Sequence, residues 1–115
     1  MHMSMYAKIL TDIFQVYLNY DDAIIEALLI DPNSVQKERA GNINDLEVVI
    51  YTNDHHPPHF HIKTKDKHID AKFSIETGEY LSGEIDAKNL KRVKAYYNSP
   101  KTKLILERIW NKRLQ

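Results

Sequence analysis

The sequence predicts an α+β fold: an antiparallel sheet of three to four strands, packed on one face by helices, with an N-terminal helical extension. Three observations lead there. Tyr6, Ile9, Leu10, Ile13, Phe14, Tyr17 and Leu18 recur at the i, i+3, i+4, i+7 spacing of one helical face. Between Glu47 and Glu84 the apolar period changes to two, as half-buried strands require. From Asp86 onward helical spacing returns, introduced by capping residues. At 115 residues the chain reads as a single domain, long enough to bury a core. Residues 1–45 form the helical extension, and residues 46–115 form the sheet plus C-terminal helices.

The first helix sets Lys8, Thr11, Asp12, Gln15 and Asn19 opposite its apolar stripe, so the stripe is expected to pack on the domain. Asp21 or Asp22 caps a second helix carrying Ile24, Ile25, Leu28 and Leu29. Asp31-Pro32 stops it and suits the start of a third, with Asp31 as N-cap, Pro32 at N1 and Gly41 at C′. Only Val35 and Ala40 would be apolar there, so a loop fits equally well.

Strands follow at Glu47–Thr52, His59–Lys65, His68–Ile75 and Tyr80–Glu84. A two-residue turn at Asp66-Lys67 sets Lys63 opposite Asp70 and His61 opposite Lys72. That register puts Phe60, Ile62, Ile69, Ala71 and Phe73 on one face, and His59, His61, Lys63, His68, Asp70 and Lys72 on the other. Gly78 suits positive φ in a turn, and Gly83 is placed for a bulge. Asp86 then caps a helix, with Ile85 stapled to Leu90 and Val93 and Tyr97 continuing the face. Ser99-Pro100 ends it and starts the last helix, whose buried side is Ile105, Leu106, Ile109 and Trp110.

Composition narrows the functional classes. Sixteen Lys+Arg balance sixteen Asp+Glu, so no net field draws the chain to nucleic acid or anionic lipid. The C-terminal segment is nevertheless basic: from Leu90 to the end, eight Lys and Arg stand against Glu107 alone. Those helices could hold a phosphate backbone, although Lys88, Lys91, Arg92 and Lys94 also read simply as a solvated helix face. Without cysteine there is no disulfide, thiol nucleophile or Cys-type zinc site. No apolar run reaches the ~20 residues of a membrane span, and the first residues lack the pattern of a secretory leader. The expected location is therefore the cytoplasm.

The most unusual stretch is Asn53-Asp54-His55-His56-Pro57-Pro58-His59-Phe60-His61, which holds four of the six histidines. Its two prolines fix φ, and Pro57 keeps His56 out of the helical region. A His-x-His pair on one strand face presents two imidazoles to zinc, nickel or iron. Asp54 and His55, or His68 and Asp70, could complete such a ligand set. Lys63 and Lys72 beside His61 would oppose a cation. Alternatively Asp54, His55 and His59 work without metal as acid and base, with a pair such as His55 and His59 acting on RNA. The third reading is structural: these side chains brace a Pro-Pro corner, and the exposed sheet face or edge receives a partner.

The run Ile50–Ile62 resembles a small bacterial family catalogued as domain of unknown function 4160, through Asp54, His55, Pro57, Pro58, His59 and His61. Gly78-Glu79, the Gly83-Glu84-Ile85 segment, the helix from Asp86 and Trp110 extend the likeness, over roughly Val48 to Trp110. The added N-terminal helices depart from it, since family members commonly begin just before the first strand. The resemblance implies a small intracellular accessory or regulatory module of a toxin–antitoxin-like or mobile-element system. Such a module acts through a protein partner, or as a homo-oligomer. The alternative is a metal-dependent hydrolase, for example a nuclease, centred on His59 and His61 with a divalent transition metal.

Overall fold

The computed structural model describes residues 5–34, 45–51 and 54–112, and in residues 5–7 the backbone alone. Helices α1 (Met5–Leu18) and α2 (Asp22–Ile30) precede strands β1 (Glu47–Val49), β2 (His59–Lys63), β3 (Asp70–Ser74) and β4 (Tyr80–Glu84). Helices α3 (Ala87–Asn98) and α4 (Pro100–Lys112) follow. The four strands form one antiparallel sheet in sequence order. The α+β architecture expected from the periodicity is the one observed.

The central register is also as expected: Phe60 lies opposite Phe73, His61 opposite Lys72 and Lys63 opposite Asp70. The connection is wider than a two-residue turn. The Thr64 N–H donates to the Ile69 carbonyl at 2.9 Å, and the Asp66 carboxylate accepts from the Thr64 hydroxyl at 2.6 Å and the His68 N–H at 2.9 Å. Lys67 takes φ 61°. Residues 64–69 thus form a loop of even length, which preserves facing but lifts His68 out of the ladder. His68 is exposed and does not join the histidine face.

β1 is shorter than expected. It stops at Val49 because the Tyr51 N–H donates to the Asp54 carboxylate at 3.1 Å rather than to a neighbouring strand. Of the expected continuation, Ile50 and Tyr51 lie beyond the strand and Thr52 lies outside the described residues. The possible third helix from Pro32 has a turn rather than a helix at residues 32–34, and the rest of it lies outside the described residues. Asp31 opens that turn, its side chain accepting from the Asn33 N–H at 3.1 Å.

Phe60, Ile62, Ala71 and Phe73 meet Leu10, Phe14, Val93, Tyr96, Leu106 and Ile109 in one continuous core. α1 is therefore part of the core, with Leu10 and Phe14 fully buried. Ile9, expected on the same stripe, remains 45% exposed because the buried line runs through Leu10 and Phe14. α1 also satisfies backbone groups at β1. Thr11 Oγ1 accepts from Val48 N at 3.0 Å and donates to Val48 O at 3.3 Å, while Gln15 Nε2 donates to Leu46 O at 3.1 Å. An edge strand normally leaves such groups open to another chain.

Asp21 caps α2, accepting from Ile24 N at 3.0 Å. Asp86 occupies the corresponding place before α3, but its carboxylate accepts the Asn89 side-chain amide at 2.7 Å instead of a helix N–H. Arg92 is buried, donating to Tyr20 O at 2.8 Å, Lys88 O at 2.9 Å and Asp22 Oδ1 at 3.0 Å. It fastens α3 to the α1–α2 corner and is not part of a solvated basic face.

The bulge falls one turn of pleat earlier than expected. Lys72 pairs with Ser82 and Phe73 with Tyr80, which leaves Leu81 as the extra residue. Gly83 serves a different purpose. At φ +101°, a Cβ there would stand 2.1 Å from the Asp70 carbonyl oxygen. Gly83→Ala is accordingly expected to destabilise the domain by ~1–3 kcal/mol, the usual range for a forced backbone conformation. A lowered urea midpoint at constant slope would register this, and an unchanged midpoint would contradict the close β3–β4 approach.

Candidate metal centre

The Pro-Pro corner folds back over the polar face of β2. Pro57 follows a cis peptide bond, and the Pro58 carbonyl accepts the Ile75 N–H at 3.0 Å, which ties the corner to the end of β3. Alternation along β2 then sends His59 and His61 to the same side, away from Phe60 and Ile62. Neither imidazole is solvated: both residues are only 7% exposed. The Tyr51 ring lies edge-on to His61 at 4.8 Å between centroids, and Trp110 of α4 lies against His59 at 5.6 Å. The two histidine rings are themselves 5.1 Å apart.

Asp54 sits where the imidazoles converge. Its Oδ2 is 3.2 Å from His61 Nε2 and 3.5 Å from His59 Nε2. One ligand atom from each of Asp54, His59 and His61 lies within 4.8 Å of the other two. The Tyr51 N–H fixes the carboxylate, and the Pro57 carbonyl fixes the His59 ring at 2.8 Å from Nδ1. A carbonyl can only accept, so His59 donates from Nδ1, which leaves its Nε2 facing Asp54. Burial pushes the His61 imidazole below its ordinary 6.5, against the opposing pull of the Asp54 carboxylate. That direction favours the neutral form, the state in which an imidazole ligates.

The donor set fits a small divalent transition metal. Ligands held at ~2.0–2.2 Å from zinc in a tetrahedron are spaced ~3–3.5 Å apart, which small side-chain rotations here would reach. Two imidazoles and a carboxylate suit zinc, nickel, iron or manganese more than magnesium or calcium. Lys63, one of the two cations expected to oppose an ion, places its ammonium over the Tyr51 ring, 5.6 Å from the centroid. A hydrogen-bonding contact with Tyr51 raises its amine above the ordinary value. Lys72 is exposed.

Of the residues singled out in the sequence, Asp54, His59 and His61 come together. His55 is exposed and lies outside the group that Asp54, His59 and His61 form. His56 is exposed too, its ring 5.6 Å from that of Trp110. Asp70 approaches from β3, its Oδ1 3.9 Å from His61 Nδ1. Sequence reasoning missed Tyr51 and Trp110 as walls of the site. Tyr51 could have been found from its parity with Val49, the register partner of His61. On the basic helices, Lys91 pairs with Glu26 and Lys103 with Glu107, so two of their cations have acidic neighbours.

Among the described residues, no helix is long and apolar enough to cross a membrane. No curated protein and no solved structure matches the chain. A sequence family does match, and it spans residues 46–110, from the approach to β1 through Trp110. With that span covering more than half of the molecule and the whole histidine segment, the chain belongs to the family described as Domain of unknown function (DUF4160).

Proposed function

We propose that this domain is a metal-dependent hydrolase of phosphodiesters or esters, its ion held by Asp54, His59 and His61. One observation carries the reading: three ligand atoms of the right types converge within 4.8 Å. The Pro57 carbonyl, by orienting His59, adds the outer support that metal-ligating histidines usually have. Three protein donors leave coordination positions for water and a substrate oxygen, and a bound ion lowers the pKa of that water into the neutral range. Asp54 supplies charge compensation, and Trp110 and Tyr51 limit bulk water around the imidazoles.

The test uses the protein's single tryptophan, which touches His59. Co2+ added to the metal-free protein is expected to quench Trp110 fluorescence with one-to-one stoichiometry. Protein purified without added metal should contain zinc, nickel, iron or manganese. The His59→Ala/His61→Ala variant should lose both properties yet stay folded, because the apolar face is untouched. The metal-loaded wild type should cleave a chromogenic phosphodiester or ester. No metal in the purified protein and no Co2+ uptake would overturn the metal centre, and uptake without cleavage would overturn the hydrolase.

A second reading has its own observation. All five residues of β4 are exposed, with Tyr80 at 49% and Leu81 at 43%, at one edge of the sheet. That edge suits an accessory or regulatory module working through a protein partner, in a cytoplasmic toxin–antitoxin-like or mobile-element system. Co-purification with the product of an adjacent gene, lost in Leu81→Asp, is the expected result. Retention of that complex by the variant would exclude β4 as the contact.

A further inference from the structure

Resting on the metal-centre reading above, we infer that Asp70 is a positioning residue for His61: it takes the Nδ1–H that His61 must carry when Nε2 ligates the ion. The two histidines share a pattern. Each turns Nε2 toward Asp54 Oδ2, and each turns Nδ1 toward an oxygen acceptor outside the centre. For His59 the acceptor is the Pro57 carbonyl, already engaged at 2.8 Å. For His61 it is Asp70 Oδ1, at 3.9 Å.

The difference in distance has a chemical cause. His61 Nε2 lies 3.2 Å from a carboxylate oxygen, a contact that requires the proton on Nε2. In that tautomer Nδ1 carries no proton that could hold Asp70 close. Ligation through Nε2 moves the one ring proton to Nδ1; no proton is gained or lost. The Nδ1–H then faces Asp70. The Asp70 side chain is 42% exposed and so has room to rotate inward. The β2–β3 register, with Lys63 opposite Asp70 and His61 opposite Lys72, fixes the diagonal that makes this approach possible. Asp70 thus acts in the metal-bound state and is dispensable without metal.

Co2+ affinity, read from Trp110 fluorescence, tests this in Asp70→Ala, Asp70→Asn and Glu84→Gln. Glu84 is the β4 register partner of Asp70, so its variant removes a nearby charge without touching His61. Asp70→Ala is expected to weaken Co2+ binding about 10- to 100-fold, as loss of an outer-shell partner usually does. Asp70→Asn, which keeps an acceptor oxygen, should recover part of that loss. Glu84→Gln should bind nearly as wild type, and the melting temperatures of all metal-free proteins should agree. The His61 ring 15N shifts should change from the Nε2–H to the Nδ1–H tautomer on adding Zn2+. Wild-type binding with undiminished Asp70→Ala affinity would overturn the role of Asp70 and leave the metal centre standing. Equal losses in Asp70→Ala and Glu84→Gln would reduce it to general charge and overturn it likewise. Failure of the wild type to bind Co2+ would overturn both.

Discussion

Removal of residues 1–19 is expected to leave a chain without a cooperative thermal transition. α1 inserts Leu10 and Phe14, both fully buried, into the core shared by the sheet and the C-terminal helices. Truncation of a buried Leu or Phe to Ala alone costs ~2–5 kcal/mol. Two such losses rival the ~5–15 kcal/mol that separates most folded domains from the unfolded state. Polar losses add to them. The buried Tyr96 hydroxyl would lose the Leu10 carbonyl, its acceptor at 3.0 Å, and Val48 would lose the Thr11 hydroxyl. Circular dichroism melts and amide NMR dispersion of the truncated protein provide the check. A soluble product with the wild-type melting temperature would refute the assignment of α1 to the core. The expectation matters because α1 lies outside the residues matched to the family.

Phe73→Ala is expected to cost ~3–5 kcal/mol, the range for a fully buried phenyl ring. Phe73 is 1% exposed, stacks on Phe60 at 5.6 Å and meets the Tyr80 ring edge at 6.1 Å. It stands on the face opposite His61, whose register partner is Lys72. The loss should therefore appear in the denaturation midpoint and not in Co2+ affinity of the protein that remains folded. A loss under 1 kcal/mol, or a selective loss of Co2+ binding at full stability, would contradict the separation of the two faces.

That separation was legible in the sequence, because a period of two assigns facing residue by residue. Once Phe60, Ile62, Ala71 and Phe73 had to share a side, His59 and His61 had to share the other. The helices were legible for the same reason: i, i+3, i+4 stripes and the Asp21 and Pro100 signals are local and need no distant partner. Less legible were elements whose ends depend on side chains capturing backbone groups. Asp54 ends β1 by taking the Tyr51 N–H, and Asp66 with Thr64 opens the β2–β3 loop and excludes His68. Propensity alone does not reveal which backbone donor a carboxylate will find.

The chain by itself determined the antiparallel ladder, the two-faced sheet and the pairing of His59 with His61, since each follows from alternation or local capping. Tertiary structure alone decided that the histidine face would be buried. That outcome needed the Pro-Pro corner folded onto β2, Tyr51 laid against His61, and Trp110 brought to His59 from α4. It also chose Asp54 over His55 as the neighbour of both rings, because the turn from Tyr51 aims one carboxylate inward and leaves the next side chain in solvent. Alternation can say which way a side chain points. What meets it there depends on residues far away in the chain, whose arrival is fixed by packing of the whole core.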